Sequence, residues 1–161
     1  MKKLIYTLLI IIALTNNSFS AGTSSDTSDD SSSYKKAYNL IKAAKKYEKK
    51  GKTDKAQKRY AKAQKLLLKS NKKKPLQADT LNYLGFTTRK LGDYEKGEEF
   101  YLQGLQIEPN HNGINEYLGE LYVATDRMDM AKERLEVLKD CNCEEFQELK
   151  NIIEGTKKSK Y

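Results

Sequence analysis

The sequence predicts an all-α fold, a solenoid of about three helix-turn-helix repeats closed by a C-terminal capping helix. Three observations carry that expectation. Leu84-Gly85 recurs 34 residues later as Leu118-Gly119, and the same offset takes Tyr83 to Tyr117, Tyr94 to Met128, Gly97 to Ala131 and Tyr101 to Leu135. An upstream copy at an offset of 41 aligns Ala44, Gly51, Ala56, Tyr60 and Ala63 with Gly85, Gly92, Gly97, Tyr101 and Gly104. Finally, EEFQELKNII (residues 144–153) places Phe146, Leu149, Ile152 and Ile153 on one helical stripe, as a cap shielding the last apolar face requires. One such repeat cannot bury its own core, and three are about the minimum for a stable stack.

The elements follow in chain order. Met1-Lys2-Lys3 is a basic start, residues 4–14 are apolar except for Thr7, and Ser18-Phe19-Ser20-Ala21 offers small residues for a signal peptidase. The 11-residue apolar run falls short of the roughly 20 residues of a spanning helix. Residues 1–20 therefore read as a cleaved signal peptide, cut after Ser20, and place the chain in the periplasm or outside the cell. Residues 21–33 are rich in Ser and Asp, with nothing apolar after Ala21, so they read as a disordered spacer. The repeat domain spans 34–156, with repeats near 37–70, 78–111 and 112–145 and a loose tail at 157–161. Helices are expected at about 34–50, 53–70, 77–91, 94–106, 111–125, 128–140 and 144–155. The seven extra residues of the first repeat fall near 67–75, as a longer second helix plus a lysine-rich loop.

Small residues at Gly85 and Gly97 let paired helices approach, while Leu81, Leu84, Tyr101 and Leu105 fill the seam. Gly92-Asp93 ends the first helix of its pair through a left-handed glycine, and Pro109 stops the second. On these positions ADTLNYLGFTTRKLGDYEKGEEFYLQGLQIEPN (residues 78–110) resembles a tetratricopeptide repeat, with Thr88 in place of the usual aromatic. Glycines replace the usual alanines at Gly97 and Gly104, at about 1 kcal/mol of helix propensity each. Residues 82–93, 111–122 and 131–149 together resemble small exported tetratricopeptide-repeat proteins of Gram-negative bacteria. That group has a more widely spaced Cys pair and implies location and fold, with no biochemical activity to carry over.

The resemblance also implies a concave groove lined by the first helix of each pair, which holds a peptide or a partner's helix. Carried over residue by residue, the groove positions are Ile41, Lys45 and Glu48, then Asn82, Phe86 and Arg89, then Glu116, Glu120 and Val123. An amide, an aromatic ring and a guanidinium one turn apart suit backbone recognition and carboxylate pairing. Alternatively, Glu116 and Glu120 neutralise Arg89 and Lys90 across adjacent helices.

Chemistry of other kinds is poorly provided for. The nine glycines stand singly, without a phosphate loop, and His111 is the only imidazole, with no nucleophile near it in sequence. Asp126 and Asp129 do not complete a calcium loop. Cys141-Asn142-Cys143 admits a zinc site, a redox pair or a structural disulfide. Zinc lacks two ligands nearby and the redox spacing is too tight, while an oxidising compartment favours the disulfide against a strained geometry. No enzyme activity, cofactor or metal is expected. The net charge of +8 hides a basic stretch at 34–77, with 17 Lys or Arg against 2 acids, followed by an acidic remainder with 11 against 17. Lysines outnumber arginines 26 to 4, so a solvated face is expected rather than nucleic-acid recognition. The reading is an exported interaction module holding an unknown protein or peptide. The alternative is an envelope-surface binder whose lysine-rich first repeat holds anionic lipid or polymer.

Overall fold

The structure, a computed structural model, describes residues 26–159. The signal-peptide reading of residues 1–20 lies outside the described residues, as do residues 21–25 of the spacer and 160–161 of the tail. Among the described residues there are seven helices and no strand: α1 (Asp26–Glu48), α2 (Thr53–Lys73), α3 (Ala78–Lys90), α4 (Tyr94–Ile107), α5 (Asn112–Ala124), α6 (Met128–Val137) and α7 (Glu144–Ile153). They form three hairpins, α1 with α2, α3 with α4 and α5 with α6, and α7 packs on α5 and α6 as the cap.

Residues 26–33 correct the spacer reading, because they form the first turns of α1 rather than a tether. Composition weighed only what the segment could bury by itself. A helix already nucleated downstream extends at the cost of one residue ordered per hydrogen bond gained, and Ser33 is buried.

The three hairpin turns show one backbone solution repeated. Gly51, Gly92 and Asp126 hold equivalent positions, with φ of 66°, 98° and 58°. After each, an amide reaches back five residues: Lys52 to the Tyr47 carbonyl at 2.9 Å, Asp93 to Thr88 at 3.2 Å and Arg127 to Tyr122 at 2.8 Å. This pattern satisfies carbonyls that a helix end would leave orphaned, and glycine reaches the left-handed conformation without the Cβ penalty. Asp93 then caps α4 by accepting from the Lys96 amide at 3.0 Å. The seven-residue insertion goes wholly into helix, since α2 has 21 residues against 14 in α4.

The core runs continuously through the hairpins, from Ala37, Ile41 and Ala44 through Tyr60, Leu81, Leu84 and Tyr101 to Leu118 and Leu121. Tyr60 and Tyr101 are equivalent residues and both are fully buried. The Tyr101 ring lies so close over Gly85 that a methyl there would sit 2.5 Å from it. In the third repeat the corresponding space at Gly119 is filled by Leu149 of the cap. Between α6 and α7, Cys141 and Cys143 are joined in a disulfide across Asn142, with Cα atoms 5.2 Å apart.

Two alanine substitutions separate the roles of glycine. Gly92→Ala has open space around the new methyl and should cost about 1 kcal/mol through the left-handed backbone alone. Gly85→Ala, at an ordinary helical position, should cost about 1–3 kcal/mol by forcing the Tyr101 ring to move. Urea unfolding followed by circular dichroism measures both, and a neutral Gly85→Ala would contradict the close approach.

Candidate functional site

Successive odd-numbered helices touch, α1 to α3, α3 to α5 and α5 to α7, whereas α2, α4 and α6 do not touch one another. The stack therefore curves with α1, α3, α5 and α7 on its inner face, and this face is the candidate interaction surface.

The expected groove residues divide into three groups. Ile41 is not in the groove: it shares the buried stripe of Ala37 and Ala44, each about one turn away on either side, and belongs to the core. Val123 is half-buried and also packs against the core. Asn82, Phe86, Arg89, Glu116 and Glu120 are on the inner helices but buried, forming the groove's floor rather than its open surface. Lys45 and Glu48 are half-buried and reach across it.

The floor is a network of polar and aromatic groups. Arg89 Nη1 donates to the Tyr117 carbonyl at 2.6 Å, and Nη2 lies 3.4 Å from Glu120 Oε2, both side chains fully buried. The guanidinium also sits 5.7 and 5.8 Å from the Tyr101 and Tyr117 ring centroids. Glu48 accepts from the Tyr60 hydroxyl at 2.8 Å within the first hairpin and pairs with Lys90 of the second at 2.7 Å. Of the two cross-helix pairs expected from sequence, Glu120 meets Arg89, whereas Lys90 turns to the first repeat. Thr88 has a specific use in place of an aromatic, accepting from Gln64 Nε2 at 2.8 Å.

Lys45 bridges the face. Its ammonium donates to the Tyr117 hydroxyl at 2.9 Å and lies 4.5 Å from the Phe86 ring centroid, tying the first repeat to the third. On one side of this bridge, at the N-terminal ends of α3, α5 and α7, a cleft of about 440 Å³ is lined by Asp79, Asn82, Tyr83, Glu108, Glu116 and Glu145, among others. On the other side, a cleft of about 700 Å³ holds four lysines, Lys45, Lys49, Lys90 and the tail's Lys157, against two glutamates, Glu48 and Glu148, with Phe86 between them. Lys157 pairs with Glu148, so part of the segment read as a loose tail lies along this cleft. His111 is structural: Nδ1 caps α5 by accepting from the Ile114 amide at 3.2 Å, and Nε2 faces Asp79 at 3.2 Å.

Sequence reasoning missed Asp79, Tyr83, Tyr117, Glu145, Glu148 and Lys157. Tyr83 and Tyr117 were visible as a pair of repeat-equivalent aromatics, and that was the available signal. Residues from α7 and the tail stand outside the repeat and gave none.

With the geometry in view, the comparisons take their place. Residues 78–111, which span α3, its turn and α4, match the family model described as tetratricopeptide repeat. The architecture is a tetratricopeptide-repeat-type solenoid. Among solved structures, the first TPR of Spaghetti (RPAP3) bound to HSP90 peptide SRMEEVD is similar to this chain, at 21% identity over 76% of this chain and 97% of that one, with a TM-score of 0.49. No curated protein matches the chain.

The tyrosines of this face report its electrostatics. The Tyr83 hydroxyl is pushed up to about 12, first by burial and then by Tyr38, Asp79, Glu116 and Glu145 around it. Tyr122 is also raised to about 12, by burial and by Glu98, and burial raises Tyr34, Tyr60, Tyr101 and Tyr117 further. A raised tyrosine pKa means the folded state keeps a proton the unfolded chain gives up. That stability is complete below pH about 10 and declines as pH climbs towards 12 and beyond. Absorbance titration at 295 nm should show these six tyrosines ionising late, together with base-induced unfolding. All eleven tyrosines ionising near pH 10 in a folded chain would contradict the burial.

Proposed function

We propose that this chain is an exported, non-enzymatic interaction module that holds an extended peptide or a segment of a partner protein along its concave face. The observation that carries this reading is the pair of clefts on the inner face, one acidic and one lysine-lined, on either side of the Lys45–Tyr117 bridge. Such a face offers aromatic surface at its centre and charges of opposite sign at its ends. These features fix the direction of a bound peptide more than they raise its affinity. The buried floor supports this use, because a rigid, internally paired surface loses little order on binding. The module's position outside the cytoplasm rests on the export pattern of residues 1–20.

Panning the chain against a random-peptide library, followed by chemical-shift mapping of enriched peptides, tests this directly. The expected result is binding at micromolar dissociation constants or tighter, with shifts concentrated in α1, α3, α5 and α7. Shifts confined to the outer helices α2, α4 and α6, or no enriched sequence, would overturn the groove reading.

A further inference from the structure

We infer that the acidic cleft at the N-terminal ends of α3 and α5 is a receptor for one cationic side chain, the ammonium of a lysine or the guanidinium of an arginine in the bound peptide. The inference rests on the groove reading for the source of that side chain, and on the cleft's own chemistry for its charge.

The first argument is charge. The cleft lining carries four carboxylates, Asp79, Glu108, Glu116 and Glu145, and no lysine or arginine. The single imidazole there, His111, is committed to the α5 amide on one nitrogen and to Asp79 on the other. From the basic half of the chain, Lys45 reaches the Tyr117 hydroxyl at 2.9 Å, beside this cleft rather than in its lining.

Helix dipoles explain part of this pattern. Asp79 and Glu145 occupy the first turns of α3 and α7, where a carboxylate is favourable without any ligand. Dipoles do not account for Asn82. This residue lines the cleft, is only 4% exposed, and its Oδ1 is a buried acceptor with no hydrogen-bond partner. A buried polar atom left this way is destabilising, and a donor entering the cleft would relieve that. An ammonium or guanidinium brings several donors and no acceptor, which matches a site made of acceptors.

The second argument is shape. The rings of Tyr83 and Tyr117 also border the cleft, and a volume of about 440 Å³ suits a flexible aliphatic stem with a charged head. The fold already holds one cation in this manner, with Lys45 over Phe86 and 5.2 Å from the Tyr117 centroid. The field that holds the Tyr83 proton up to about 12 comes after burial in part from Asp79, Glu116 and Glu145, the same groups that would attract a cation.

Amide-resolved titration of the isotopically labelled protein separates the outcomes. The probes are blocked tripeptides with a central lysine, arginine or glutamine, and butylammonium chloride. The lysine and arginine peptides should give saturable shifts at the Gly113 and Glu116 amides and at the Asn82 side-chain amide, and the glutamine peptide none. Affinity should fall at least about ten-fold in the double variant Asp79→Asn/Glu145→Gln, whose melting temperature should stay close to that of the parent. Asn82→Leu should also weaken binding while leaving stability unchanged or improved, which a purely structural asparagine would not do. Equal shifts from the glutamine peptide would overturn the inference. So would butylammonium binding as tightly as the lysine peptide, which would make the ligand a free amine. Silence of every cation while library peptides still bind the inner helices would overturn it too and leave the groove reading standing.

Discussion

The structure depends on burying a charge pair at the contact between its second and third repeats. Arg89 and Glu120 are both fully enclosed, 3.4 Å apart, and the guanidinium also donates to the Tyr117 carbonyl. Removing two charges from water costs several kcal/mol apiece, so the arrangement holds only while both partners and their surroundings stay in place. The consequence is specificity of docking. α3 and α5 are held in a register that brings Arg89 against Glu120 and the Tyr117 carbonyl, with the rings of Tyr101 and Tyr117 around the guanidinium.

From that constraint the surface chemistry follows. With Tyr117 held from below, its hydroxyl becomes the anchor for Lys45, and the first repeat is drawn onto the third across the groove. The bridge splits the inner face into an acidic end and a lysine-lined end. Some residues that a general repeat pattern assigns to the ligand, Arg89 and Glu120 above all, are here spent on the stack itself, and helix ends, the cap and the tail add groups to the two clefts.

The sequence made the repeat legible because its spacing is set by backbone geometry that any copy must satisfy. Gly51 and Gly92 announce the turns, and the 41-residue offset announces an insertion that the structure places in α2. Asp126 was harder to see, since aspartate tolerates a left-handed backbone without requiring it. The start of α1 was misjudged because composition measures what a segment buries alone, whereas residues 26–33 ride on a helix already formed. Ile41 was misplaced because a groove position and a core position on the same helix differ by a fraction of a turn. Its neighbours Ala37 and Ala44 settle the matter only once α2 is packed on them. Glu145 and Glu148 lie in the cap helix and Lys157 in the tail, outside the three hairpins, so only the fold brings them to the groove.

A double-mutant cycle on Arg89→Met and Glu120→Leu, followed by urea unfolding, tests the central claim most directly. Each single change should cost about 3–5 kcal/mol, because it strands a buried charge. The double variant, with both charges replaced by apolar groups of similar size, should be far more stable than the sum of the two losses implies. Additive losses, or single variants within about 0.5 kcal/mol of the parent, would contradict the account.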